Sequence, residues 1–269
     1  LFRSLINNTA QYFSIPKIFR EIFRVILFSG GTQLTGTFWF FRTLFWTTVL
    51  FAVILFFTQK IESRYFKAGV EIIILFIIAL SGVFLQKKGI NTYNIGTVCS
   101  VYGLMYLGKV FRTVQIKRGD RQANEKFQWI NIAVGIGILL ILNKYNHISL
   151  NINNYPNIIV LWVAAVAGWL MVYGIAFYLE KIKKVSRILE YIGRHTITVM
   201  CLHFITFKVV NLIQVLIYNE PIEYIASFPI LHSENGWWFV YTVAGVILPI
   251  MVVLVYGEIR KRMKRICQR

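Results

Sequence analysis

The chain has 269 residues, of which 57% are hydrophobic and only 15% charged, and its mean hydropathy is +0.61. A soluble domain is nearer half apolar and about a quarter charged, so this composition excludes an ordinary soluble protein and predicts an all-α polytopic membrane helix bundle. The net charge of +18 does not indicate nucleic-acid binding, because the basic residues lie in short loops between apolar runs. The three cysteines show neither metal-ligand spacing nor a paired framework.

Residues 1–37 precede the apolar runs and are mixed in character. Within them, Ser14–Phe28 carries its basic residues on one helical face and its apolar residues on another, which predicts an amphipathic helix lying at the membrane interface. Because the sequence starts at Leu1 and shows no signal-peptide pattern, we expect 1–37 to be a partial upstream region of a longer protein.

Seven apolar runs follow and predict about seven transmembrane helices in a membrane bundle at 38–257, with a basic tail at 258–269. The sixth run is too long to cross a ~30 Å hydrocarbon core as one straight helix, so we expect it to tilt, to break or to emerge into the next loop. The predicted spans are 38–57, 68–86, 94–111, 127–143, 158–178, 189–217 and 237–256.

Lysine and arginine in the connecting loops predict the orientation. The loops at 58–67, 112–126 and 181–187, together with the tail, hold 18 of them, whereas the opposite loops hold 3. The C-terminus is therefore expected in the cytoplasm, and the first predicted span is expected to enter from outside.

Ionisable residues at the start of the sixth span need an explanation, because such groups are costly in a membrane and often mark functional sites. Glu190, Arg194 and His195 stand at its mouth, and His203 lies about two turns deeper. The bland alternatives are that Glu190 and Arg194 pair across one helical turn and that His203 is hydrogen-bonded within the bundle. The two histidines are eight residues apart and have no third ligand, so we predict no metal site.

Three further charged residues lie in or near other spans. Arg42 follows a Trp-Phe-Phe run containing Trp39, where it could extend to the outer interface or bind an anion or a carbonyl group. Lys109 is expected to extend toward the cytoplasmic interface, and Glu71 to be an interfacial carboxylate.

Two stretches together carry a resemblance to a known family. Gly36-Thr-Phe-Trp-Phe-Phe-Arg-Thr-Leu-Phe45 resembles the segment that opens a middle span in acyltransferase family 3, the integral-membrane O-acetyltransferases. Leu189-Glu-Tyr-Ile-Gly-Arg-His-Thr-Ile-Thr-Val-Met-Cys-Leu-His203 is similar to that family's late motif with its distal histidine. The resemblance, closest to the fucose O-acetylase-like branch, covers the chain from about residue 36 to its end.

The resemblance implies a ten-helix protein with a cytoplasmic C-terminus, of which this chain is the C-terminal portion. It also implies acetyl-CoA or another acyl-CoA as donor substrate, with no bound cofactor, and a hydroxyl of a cell-surface polysaccharide or its lipid-linked precursor as acceptor. The family's proposed catalytic histidine lies in its first helix, whereas this sequence has no histidine before His147. We therefore expect that residue upstream of Leu1, so that this chain alone would be inactive.

The sequence thus predicts a membrane O-acyltransferase in the bacterial cytoplasmic membrane, with membrane lipid around it and no nucleic-acid partner. A general base would deprotonate the acceptor hydroxyl, which attacks the thioester while fixed donors hold the oxyanion. The alternative is a transporter or flippase of polysaccharide intermediates without acyl chemistry. The predicted catalytic residues are His203 and Arg42, and the predicted substrate-binding residues are Trp39, Glu190, Arg194 and His195.

Overall fold

The computed structural model describes residues 36–118, 125–145 and 148–267, together with Phe19 and Phe23. In these ranges the chain forms α-helices and no strand, apart from one isolated bridge between Ser149 and Asn154. The helices are α1 (Phe38–Thr58), α2 (Arg64–Lys87), α3 (Ile95–Arg118), α4 (Glu125–Tyr145), α5 (Ile158–Glu180), α6 (Lys183–Arg194), α7 (Thr196–Tyr218) and α8 (Trp237–Cys267).

The prediction of an all-α polytopic membrane bundle is confirmed. Each of the seven predicted spans contains a helix, and six helices of the described ranges are long and apolar enough to cross a membrane. The exception is α3, whose first half is the more buried and holds the buried polar residues Thr97 and Ser100. A helix that buries polar side chains against its neighbours does not need the apolar surface that lipid requires.

The sixth predicted span begins too early. The chain leaves the helical conformation at His195 (φ −110°, ψ 17°), which separates the short helix α6 from α7. Since α6 is strongly amphipathic and buries none of its side chains, it does not extend the apolar helix, and the expected break lies at the polar mouth. Within this predicted span, the helix that is long and apolar enough to cross a membrane is α7 alone.

Two other predicted boundaries can be compared with the structure. The predicted basic tail is a continuation of α8, which remains helical to Cys267. The predicted interfacial helix at Ser14–Phe28 lies outside the described residues except for Phe19 and Phe23, which are helical and exposed.

The described chain divides into two compact units. Trp39–Lys183 forms the first, here called the central unit because of its place in the sequence. The described residues that precede and follow it in the sequence form the second, called the flanking unit. The central unit therefore holds α2 to α5 and nearly all of α1, and the flanking unit holds α7, α8 and all of α6 except its first residue.

Glycines bring helices into close contact within each unit. A Cβ added at Gly82 of α2 would stand 2.9 Å from the backbone nitrogen of Ser100, and one at Gly135 of α4 would stand 2.6 Å from the carbonyl oxygen of Ala167. In the flanking unit, a Cβ at Gly245 of α8 would meet a phenyl ring of α7 at 2.7 Å. Membrane helices associate largely through such close packing, because lipid provides little hydrophobic drive between them.

Candidate functional site

His203 lies at the end of the second turn of α7, where its side chain is half-buried. Its Nδ1 is 3.2 Å from the carbonyl oxygen of Val199, one turn earlier. Because a carbonyl oxygen only accepts, Nδ1 carries the hydrogen, and in the neutral ring Nε2 carries the lone pair. No residue in the described ranges hydrogen-bonds to Nε2. His203 therefore directs Nδ1 to its own helix, and its Nε2 has no hydrogen-bond partner among the described residues.

Aromatic rings flank the His203 imidazole. The ring centroids of Phe204 and Phe207 lie 4.2 Å and 5.4 Å from it. Phe204 also contacts Phe228 of the loop between α7 and α8, with ring centroids 4.8 Å apart. The imidazole thus lies between two phenyl rings of its own helix, and one of these rings packs against the loop between α7 and α8.

The polar mouth predicted from the sequence lies at the junction of α6 and α7. Arg194 Nη2 contacts Glu190 Oε1 at 2.6 Å, and the two side chains are 74% and 58% exposed. The simpler reading, pairing across one helical turn, is therefore confirmed. His195 directly precedes α7, and its ring centroid is 4.8 Å from that of Tyr191. Glu190, Arg194 and His195 belong to the same unit as His203 and precede it by eight or more residues in the sequence.

A second set of polar side chains deeper in α7 binds the loop 219–236. Lys208 Nζ donates to the carbonyl oxygen of Ala226 at 3.2 Å and to that of Ser227. Asn211 Nδ2 donates to the carbonyl oxygens of Ile225 and Ser227 at 3.1 and 3.0 Å. An ammonium group and a side-chain amide are costly to bury in an apolar helix unless they are hydrogen-bonded. Here Lys208 and Asn211 donate to backbone carbonyl groups of the loop.

Gln214 and Tyr241 extend this set to α8. Gln214 exchanges two hydrogen bonds with the backbone of His232, at 3.0 and 3.2 Å. The Tyr241 hydroxyl lies 2.5 Å from Asn211 Oδ1 and 2.9 Å from Gln214 Oε1, and it accepts from the Leu231 N–H at 3.1 Å. The two amide side chains are fully buried, so the cluster anchors the loop to both helices.

Arg42 belongs to the central unit. Its Nε donates to Asn94 Oδ1 at 2.9 Å, its Nη2 contacts the same oxygen, and its guanidinium carbon lies 5.9 Å from the ring centroid of Tyr93. The sequence left an anion or a carbonyl group as possible partners of Arg42. The structure gives it a carbonyl oxygen, that of the Asn94 side-chain amide. Trp39, three residues earlier and so on the same helical side, is half-buried.

Asn94 connects Arg42 to an asparagine-rich loop between α4 and α5. Its Nδ2 donates to the carbonyl oxygen of Asn151 at 3.3 Å. Farther along this loop, the Tyr155 hydroxyl is 2.8 Å from Ser100 Oγ. Burial raises the pKa of Tyr155, and the bond to Ser100 partly opposes that shift. Asn153 Nδ2 is buried here without a partner among the described residues.

Glu71 and Lys109 have partners that the sequence predictions did not include. Lys109 Nζ is 2.5 Å from Glu71 Oε2, and Glu71 Oε1 accepts from Thr58 Oγ1 at 3.1 Å. Glu71 is only 5% exposed and Lys109 30% exposed. The carboxylate is therefore buried in an ion pair that joins α2 and α3, with α1 contributing a hydroxyl.

The predicted site residues fall into two groups. His203, Glu190, Arg194 and His195 lie in the flanking unit, whereas Arg42 and Trp39 lie in the central unit. The loop-binding cluster was missed from the sequence, although Lys208, Asn211 and Gln214 recur every three residues in an apolar helix, and that spacing was an available signal. No protein-family model matches the chain, and neither a curated protein nor a solved structure matches it.

Proposed function

We propose that this chain is part of a membrane O-acyltransferase that moves an acetyl or other acyl group from acyl-CoA to a hydroxyl of a surface polysaccharide or its lipid-linked precursor. The observation that carries the proposal is His203. It lies in the stretch that resembles acyltransferase family 3, and its Nδ1 is held by the Val199 carbonyl while Nε2 has no partner among the described residues.

The proposed chemistry uses Nε2 as a general base. Nε2 takes the proton of the acceptor hydroxyl, whose oxygen attacks the thioester carbonyl carbon and forms the new C–O bond. The C–S bond then breaks, and the imidazolium returns the proton to the leaving sulfur, so that an ester and free CoA thiol are produced. A Val199 carbonyl fixed on Nδ1 favours this role, because it orients the ring and stabilises the imidazolium that forms.

The test is acyl transfer by the complete protein in its own membranes. With labelled acetyl-CoA, we expect label to enter membrane-associated glycan. His203→Gln retains a donor and an acceptor but removes the base, so transfer should fall at least a hundredfold, since acid–base groups contribute about 10²–10⁴-fold. His232→Gln is the matched control, because His232 lies in the same unit and pairs with Glu220 at 2.8 Å, outside the proposed site.

Two results would count against the proposal. Unchanged transfer in a normally folded His203→Gln protein would make His203 a packing residue. Membranes that consume no acetyl-CoA, but accumulate glycan intermediates on one side when the protein is lost, would instead support the transporter or flippase.

A further inference from the structure

An apolar groove of about 440 Å³ lies between α6 and α8 in the flanking unit. One turn-and-a-half of α6 forms one wall, and a single stripe of α8 forms the other. From Val246 to Leu254 the α8 wall rises about 12 Å, close to the ~15 Å depth of one leaflet's hydrocarbon. The lining residues are Arg187, Ile188, Tyr191 and Ile192 of α6 and Val246, Ile247, Ile250, Met251 and Leu254 of α8.

The α6 wall lies at the boundary between the helix's two faces. At 100° per residue, Lys183, Arg187, Glu190 and Arg194 define a polar face, and Val185, Ile188, Leu189 and Ile192 define the opposite apolar face. The groove runs along the side of α6 that separates the polar face from the apolar face. Arg187 lies at its polar edge, and Ile188 and Ile192 lie at its apolar edge. An amphipathic helix with this pattern lies in the interface, where lipid headgroups meet acyl chains.

Unpaired positive charge stands at this flank. Within the described ranges neither Lys184 nor Arg187 has a carboxylate partner, and the only acidic residue of α6, Glu190, pairs with Arg194. Lys184 precedes Arg187 by one turn and lies on the same flank. The rim therefore attracts an anion, whereas the α8 wall offers only hydrocarbon.

We propose that this groove binds an anionic phospholipid, with one acyl chain along the α8 stripe and the phosphate at Lys184 and Arg187. The loop charges predict that this side faces the cytoplasm, where anionic lipid attracts basic segments near the surface. An anion with an attached aliphatic chain matches both the charged rim and the apolar wall. The inference does not depend on the proposed acyl transfer.

Photo-crosslinking tests the site directly. The full chain is reconstituted in phosphatidylcholine vesicles containing a trace of phosphatidylglycerol with a photoreactive group in its acyl chain, and crosslinked peptides are mapped by mass spectrometry. We expect crosslinks to concentrate on 188–192 and 246–254, and the same probe with a phosphatidylcholine headgroup to crosslink there several-fold less. Arg187→Gln should reduce the phosphatidylglycerol signal about fivefold, the equivalent of about 1 kcal/mol per basic residue at the surface.

Two control variants separate the site from general effects. Arg64→Gln removes one exposed cation from the central unit and should leave the signal unchanged. Ile250→Trp fills the groove and should abolish it, whereas Leu216→Trp adds the same ring at an exposed position of α7 and should not. Equal crosslinking of both headgroups, crosslinks spread over all apolar helices, or a groove crosslinked to a second copy of the chain would each overturn the proposal.

Discussion

The buried ion pair of the central unit gives the most quantitative prediction. Replacing Lys109 by Met leaves the Glu71 carboxylate 5% exposed, with hydrogen bonds to the Thr58 hydroxyl at 3.1 Å and to the Tyr106 side chain remaining. Removing one member of a buried pair costs about 3–5 kcal/mol. Because Lys109 is itself 30% exposed, water replaces part of the lost interaction, and we expect a loss near the lower end, about 3 kcal/mol.

The measurement is the free energy of unfolding of the purified protein, from SDS titration in mild detergent followed by circular dichroism. The double variant Glu71→Gln/Lys109→Met should recover at least about 2 kcal/mol relative to Lys109→Met, because an uncharged amide retains the bond to Thr58 without a buried charge. Arg194→Met is the matched control, since its pair with Glu190 is exposed and should contribute no more than about 0.5 kcal/mol.

The reasoning would be refuted by either of two results. Lys109→Met could unfold within about 0.5 kcal/mol of the unmodified protein, which is the range of a surface substitution. Alternatively, the double variant could be no more stable than Lys109→Met, and the cost would then come from lost packing of the lysine chain rather than from an uncompensated carboxylate.

Three further predictions concern packing, the loop and topology. Gly103→Ala should destabilise the protein by about 1–3 kcal/mol in the same titration, because its Cβ would meet the Trp162 ring at 2.3 Å, whereas Gly108→Ala on the same helix has open space and should not. Tyr241→Phe should increase proteolysis within 219–236, since Asn211 Oδ1 and the Leu231 N–H lose the hydroxyl that they bond to, at a cost of about 1–3 kcal/mol; cleavage at the rate of the unmodified protein would contradict this. A reporter fused after the last residue should be active only in the cytoplasm and one inserted near Asn153 only outside, and the reverse pattern would overturn the orientation.

Most helix boundaries could be predicted because continuous apolar runs bounded by charged loops leave little choice of conformation in a membrane. The sixth span shows where this signal fails. Leu189 and Ile192 look like the start of an apolar run, but they belong to the apolar face of α6. In this helix, which begins at Lys183, apolar and polar residues alternate with the helical period of 3.6 residues. A prediction from the number of apolar residues alone therefore joined α6 and α7 into one span, whereas the amphipathic periodicity of α6 distinguishes it from α7.

The partners of the charged residues could not be predicted, because they depend on contacts between distant parts of the chain. Lys109 and Glu71 are 38 positions apart, and Arg42 and Asn94 are 52 apart. Hydropathy places each residue at a depth in the membrane but does not say which helix faces it. By contrast, Glu190 and Arg194 are one turn apart on the same helix, so their pairing could be weighed from the sequence.

The loop-binding cluster has a consequence for how the protein enters the bilayer. Lys208, Asn211 and Gln214 make the insertion of α7 by itself less favourable, since a lysine at a helix centre costs about 2.5–3.5 kcal/mol. Their partners are backbone groups of 225–232 and Tyr241 of α8, all of which are synthesised after α7. Since α7 meets the partners of these three side chains only after the loop and α8 have been made, we expect the two helices to enter the lipid together as a hairpin.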